Sequence, residues 1–401
     1  MSTPARSRSY ATLLRVPRLP TAYLAVGLSA LPLGMINLAV ILCTQRWTGS
    51  LTLAGWLSGA FTLGNAAGLS VQGRLLDRYG AHHVLRWAGA TSAAGLGAVV
   101  LAGFVGAAPA VLAVALAVAG LSVPAVTTAV RGRLPQVVTD STTRTAGYAL
   151  LSVLFQVAIT VGPLLVSLSL LLTPELALVS AAMLLFGAGM LATRRNGLLR
   201  VAELADRDKS SAGRAQTWCT SGFVAVLLVA ALTGAANGLV TVAVPGLTGA
   251  AGMTALAGLI FSGVALGDVC GALAFGSRVW PLSTWNQLAV ALAAGAALAV
   301  VAFLVAPTPW ALLPVLAASG MLAAPAAIVS SALLDQVLPT GSVARGYGLL
   351  VSVGLVAAAC GNAAAGSLVS VLDPRGLFLA AAASLALAAA VATAGRRTGK
   401  G

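Results

Sequence analysis

The sequence predicts an all-α membrane protein with twelve transmembrane helices in two parallel six-helix halves. Three observations carry that prediction. Hydrophobic residues make up 59% of the 401-residue chain and charged residues only 8%, with mean hydropathy +0.98. A soluble domain carries about 25% charged residues, so a chain with so little charge must turn its surface to lipid. Twelve apolar runs follow one another, each close to the roughly 20 residues that cross a bilayer. The chain also repeats itself: Gly59, Gly64 and Gly68 return as Gly258, Gly263 and Gly267, each 199 residues later.

Taken in order, residues 1–20 carry Arg6, Arg8, Arg15 and Arg18 and read as a basic cytoplasmic start. The apolar run that follows is too long for a signal peptide and leads straight to a second span. The predicted spans are 22–43, 51–72, 84–105, 108–130, 146–169, 175–193, 219–244, 250–275, 286–306, 310–333, 347–371 and 376–395. Of the 23 lysines and arginines, all but Arg46 and Arg375 fall on one side of this alternation. That bias places both termini in the cytoplasm and the protein in the cytoplasmic (inner) membrane. The longest polar stretch, 194–218, divides an N-terminal half, 1–193, from a C-terminal half, 219–401.

The repeat extends to other spans. Gly147-Tyr148 matches Gly346-Tyr347, Leu150-Leu151 matches Leu349-Leu350, and Gly162 matches Gly361. Asn37 in span 1 matches Asn237 in span 7 at an offset of 200. The net charge of +14 is dispersed between the spans rather than gathered on one face, which excludes a nucleic-acid partner. Cys43, Cys219, Cys270 and Cys360 lie far apart and show no metal-ligand spacing.

One short stretch joins spans 2 and 3: Gly73-x-Leu75-x-Asp77-Arg78-x-Gly80, with Leu85 following. Two membrane helices must reverse there within a few residues, and glycine permits the turn. The pattern resembles the signature loop between helices 2 and 3 of the major facilitator superfamily of secondary transporters. The two repeated halves and the polar linker are similar to that superfamily as well. The resemblance implies an alternating-access carrier, with spans 1, 4, 7 and 10 around a central cavity.

Candidate site residues follow from scarcity, since a polar side chain at membrane depth is expensive. Asn37 and Asn237 occupy matched positions on the cavity helices and are expected to line the substrate path, or to bond between helices. Gln156 in span 5 and Asn362 in span 11 are further candidates for the same path. Of the nine acids, only Asp268 falls in the interior of a span, as a proton-coupling group or a gate residue, while Glu175 stands at the outer edge of span 6. Asp77 is expected to dock against the positive N-terminus of span 11 near Arg345, so Gly73, Asp77, Arg78, Gly80 and Arg345 together form a cytoplasmic gate. Gly162-Pro163 in span 5 is expected to bend that helix and resembles the Gly-Pro end of the antiporter motif. Leu164-Leu165 then depart from the glycines that usually follow. Pro124, Pro245, Pro314 and Pro325 are expected to bend spans 4, 7 and 10. Gly55-x-x-x-Gly59, Gly64-x-x-x-Gly68 and Gly263-x-x-x-Gly267-x-x-x-Gly271 are expected to let the halves slide past each other.

No paired carboxylates, nucleophile triad, metal cluster or phosphate-cradling loop occurs in the sequence. An enzyme, a cofactor, a metal centre and an ATP-driven pump are therefore not expected. The expected partners are a small organic solute, the lipid bilayer and protons as coupling ion, with the protein acting as a monomer. Efflux by proton antiport is the favoured reading, and an uptake permease or uniporter for a sugar-like metabolite is the alternative.

Overall fold

The computed structural model describes residues 19–137, 141–194, 220–276, 280–338, 343–369, 371 and 373–398. Among them the regular structure is helical throughout. The first half holds α1 (Leu19–Thr48), α2 (Leu51–Tyr79), α3 (Ala81–Phe104), α4 (Pro109–Leu121), α5 (Val126–Val137), α6 (Ser141–Ser169) and α7 (Glu175–Ala192). The second holds α8 (Ser221–Ala250), α9 (Leu256–Gly276), α10 (Thr284–Val305), α11 (Pro309–Val337), α12 (Val343–Leu368) and α13 (Gly376–Thr398). Of the expected linker 194–218, only the exposed Arg194 lies within the described residues.

Among the described residues, eleven helical stretches are long and apolar enough to cross a membrane. α2 is the exception, although its 29 residues suffice for a crossing. Its outer half carries Ser58 and Thr62, which are buried against protein rather than lipid. Polar side chains there do not meet hydrocarbon, so low hydropathy does not disqualify it as a span.

Local sequence fixes the joints. Ser50 caps α2 by accepting from the backbone N–H of Leu53 at 3.1 Å, and Thr220 caps α8 by accepting from Phe223 at 3.3 Å. Gly80 alone separates α2 from α3. Its φ of +81° is a conformation that side chains resist. Pro32, Pro163, Pro245, Pro314 and Pro325 all lie inside helices.

The fourth span is more than bent. It stops at Leu121 and resumes at Val126, with Pro124 in the gap, as α4 and α5. A break at membrane depth frees backbone groups that water does not reach. The side chain of Gln72 from α2, 4% exposed, fills that need. Its Nε2 donates to the carbonyls of Leu121 at 3.0 Å and Val123 at 2.7 Å. Its Oε1 accepts from the N–H of Ala125 at 3.0 Å.

The buried core has a revealing division. One apolar cluster joins both halves, running from Met35–Cys43 of α1 and Ala54–Phe61 of α2 to Ala236–Val244 of α8 and Leu377–Ala381 of α13. It lies at the end of the bundle that carries the α1–α2 turn, called here the outer end. At the opposite, basic end the core splits in two. One cluster holds only first-half residues, such as Leu19, Leu85, Val130 and Leu151. The other holds only second-half residues, such as Phe223, Leu288, Leu333 and Ala392. The halves are therefore joined at the outer end and parted at the basic end.

The glycine motifs pack differently from the expectation. A side chain at Gly64 or Gly68 would collide with backbone of Ala117 or Leu121 in the same half. One at Gly267 or Gly271 would collide with Ala317 or Met321, again in the same half. These glycines bind α2 to α4 and α9 to α11 rather than providing a surface between halves. Gly55 and Gly59, by contrast, do face the other half at Asn362, Gly366 and Ala359. Gly162 seats α6 on α1, where its added carbon would lie 2.9 Å from Cα of Gly34.

Candidate functional site

Among the described residues the two most extensive seams between the halves are α2 against α12 and α6 against α9, and α8 also touches α1 and α2. On each seam the cross-half hydrogen bonds among the described residues lie from the middle of the helices to the outer end.

The α2–α12 seam is closed by a four-residue polar cluster. Asn362 of α12 is 2% exposed. Its Nδ2 donates to Ser58 Oγ at 3.2 Å and Thr62 Oγ1 at 3.4 Å, both on α2. Those hydroxyls in turn donate to Oδ1 of Asn37 on α1, each at 3.2 Å. Thr62 shares its single proton with the carbonyl of Ser58 at 2.9 Å. The chain of bonds is directional, from the amide of one half into the amide of the other. Oδ1 of Asn362 is buried without a partner.

The α6–α9 seam carries a ladder. Ser167 Oγ donates to the carbonyl of Ala255 at 2.7 Å, nearest the outer end. Ser262 Oγ donates to the carbonyl of Thr160 at 2.8 Å. Gln156 Nε2 donates to Asp268 Oδ2 at 3.4 Å, a long bond at the innermost rung. Past Asp268 toward the basic end, Cys270 and Leu273 are exposed. Asp268 thus makes the innermost of the seam's hydrogen bonds among the described residues.

The expected path residues consequently fall in different places. Asn37 and Asn362 belong to one cluster, and Gln156 and Asp268 to one pair. Asn237 is exposed on α8, with its backbone carbonyl accepting from Thr241 Oγ1 at 2.8 Å. It lies roughly opposite Ala235 by the 100° helical step. Ala235 lines an apolar groove of about 550 Å³ between α8 and α12, together with Ala231, Val353, Val356 and Cys360.

At the basic end, a side chain added at Gly73 or Gly348 would meet nothing within 4 Å. Arg78 stacks over the ring of its neighbour Tyr79, with 5.2 Å to the ring centre. Gly80 makes the positive-φ turn. Asp77 and Arg345 lie on α2 and α12, but their side chains are outside the described residues. Pro163 is accommodated within α6, and its carbonyl lies against Gly258 of α9 on the ladder seam.

Ser58, Thr62, Ser167, Ser262 and Gln72 are not singled out by the sequence reading. The available signal was their recurrence in helices otherwise made of Ala, Leu, Val and Gly. Among the described residues no cluster of His, Cys, Asp and Glu is suited to hold a metal ion.

The profile of the Major Facilitator Superfamily matches residues 22–321. The chain belongs to that superfamily. Solved structures share the fold at low identity. A mutant of the nucleoside transporter NupG gives a TM-score of 0.76 at 13% identity, covering 94% of this chain and 98% of that one. A bacterial homologue of the iron transporter ferroportin, in an inward-facing state, gives 0.73 at 16%, covering 97% and 100%. The peptide transporter POT in complex with sulfate gives 0.68 at 15%, covering 95% and 94%. No curated protein matches by sequence. The chain is therefore a multi-pass membrane transporter of small solutes and not an enzyme.

Proposed function

We propose that this superfamily member exports a small organic solute across the cytoplasmic membrane by alternating access, in exchange for protons. The basic end then faces the cytoplasm, as the distribution of Lys and Arg favours, and the conformation described here is inward-facing. The observation that carries the proton reading is Asp268. It is the one acid in the interior of a predicted span, and it stands beside Gln156 at the innermost described rung of the α6–α9 ladder. A carboxylate at such a depth trades between a proton and a partner more readily than one in water.

The solute is neutral or weakly polar. The exposed amide of Asn237 and the half-buried amide of Gln156 can offer donors and acceptors without net charge. Nucleoside and peptide transporters among the structural neighbours are consistent with an organic solute of that size.

Reconstitution in liposomes tests the reading. Flux of a panel of neutral and weakly polar organic solutes is followed with and without an imposed pH gradient. Gradient-driven flux that vanishes in Asp268→Asn, while solute binding persists, is the expected result. Flux indifferent both to the gradient and to Asp268→Asn would overturn proton antiport.

A further inference from the structure

We propose that the α2–α12 seam is a releasable latch keyed by Asn362, and that Gly55, Gly59 and Gly366 are glycines for the sake of this one conformation. The inference rests on the alternating-access reading. It assigns to particular residues the difference in energy between the two states.

The geometry sorts the glycines of the bundle into two kinds. Gly64, Gly68, Gly120, Gly267, Gly271 and Gly320 each meet backbone of a helix in their own half. Those contacts persist whichever end is open, because each half moves as a packed body. Gly55 meets the carbonyl of Asn362 and the Cα of Gly366, at 2.6 and 2.8 Å from an added carbon. Gly59 meets the carbonyl of Ala359 at 2.8 Å, and Gly366 meets the carbonyl of Thr52. All of these partners lie across the seam. An added methyl group obstructs only the state in which the outer end is shut, and the opposite state has room for it.

The polar cluster sits on the same stretch of α2 and obeys the same logic. When the outer end opens, Asn362 Nδ2 leaves Ser58 and Thr62. The bonds from Ser58 and Thr62 to Asn37 lie within one half and survive. Asn362 is therefore the moving part. Its Oδ1 is buried unpaired even when the latch is shut, so the closed state is incompletely satisfied and holds without being permanent. A ligand can tip such a balance only by its difference in affinity for the two states. The latch therefore sets how much that difference must be.

Spin-label distance measurement decides the matter in protein held in lipid nanodiscs. The four cysteines are replaced, and labels are placed at Leu172 and Val371, which are exposed in outer-end loops of opposite halves. In this parent the short outer distance should dominate. Gly59→Ala and Asn362→Leu should each raise the long-distance fraction about tenfold relative to the short, each interhelical bond in a membrane being worth only a few-fold. Gly120→Ala, a same-half glycine, should lower the thermal midpoint without moving that ratio. Should Asn362→Leu fail to fold, Ser58→Ala reads the same bond. Distance distributions unchanged in Gly59→Ala and in the Asn362 or Ser58 variant would overturn the latch, as would an equal shift in Gly120→Ala. Flux through the same variants is scored separately, so transport with an unmoved outer distance would sink the latch and spare the transport reading.

Discussion

Gln72 donates to the carbonyl of Val123 at 2.7 Å, across the gap that divides the fourth span. The same amide serves Leu121 and Ala125 on either side, so one side chain replaces the hydrogen bonds that two helix ends have lost. Substitution Gln72→Leu keeps the bulk and strands three buried backbone groups. Each stranded group carries a desolvation penalty of about 1–3 kcal/mol, partly relieved by relaxation. A fall of several degrees in the thermal midpoint in detergent is expected. A midpoint within error of the parent would show that the break is satisfied by something else.

That joint marks where sequence reading reaches its limit. Pro124 announces an interruption, and a bend is its ordinary consequence. A full break needs a donor and acceptor supplied from another helix, and nothing in the local pattern identifies Gln72, about 50 residues earlier, as that supplier. The spans and the two halves were legible because hydropathy and charge bias are properties of each run alone. The glycine motifs were legible as close contacts, yet periodicity does not say which neighbour is close. Gly64 and Gly68 turned out to face α4 in their own half.

At the outer end, Glu175 is buried in the first turn of α7 and accepts from Trp47 Nε1 at 2.9 Å and Arg46 Nη1 at 3.4 Å. The two donors contribute unequally. The Arg46 side chain is 54% exposed, so Arg46→Ala should change stability by less than about 1 kcal/mol. Glu175→Ala strands the indole N–H beneath α7 and should lower stability by about 1–3 kcal/mol. Glu175→Gln, which keeps an acceptor, should recover most of that loss. Thermal melts of the three variants check the order, and a larger effect at Arg46 than at Glu175 would refute it.

Space around the glycines predicts opposite signs for one chemical change. Gly120 lies between α2 and α4, where an added carbon would meet Phe61 and lie 2.9 Å from the N–H nitrogen of Asn65. Gly97 in α3 has open space instead. Gly120→Ala should therefore cost about 1–3 kcal/mol through overpacking. Gly97→Ala should be neutral or stabilise by up to about 1 kcal/mol through helix propensity. Equal midpoints for the two variants would mean that the α2–α4 seam relaxes without resistance.

The matched asparagines give the sharpest test of site against scaffold. Asn37 and Asn237 are equivalent by the internal repeat, but their surroundings are not. Ser58 and Thr62, the partners of Asn37, correspond 199 residues later to Ala257 and Phe261. The repeat thus preserves the amide and removes its hydroxyls, which leaves Asn237 exposed on α8. Asn37→Leu should lower both thermal stability and flux, since the buried hydroxyl of Ser58 loses its acceptor and that of Thr62 keeps only the carbonyl of Ser58. Asn237→Leu should leave the midpoint unchanged and raise the KM for solute about tenfold, the value of one hydrogen bond of about 1.4 kcal/mol. The concentration dependence of flux in liposomes, set beside a thermal melt of each variant, separates the two roles. An Asn237→Leu variant that melts early and transports with the parent KM would place that amide in the scaffold and off the solute's path.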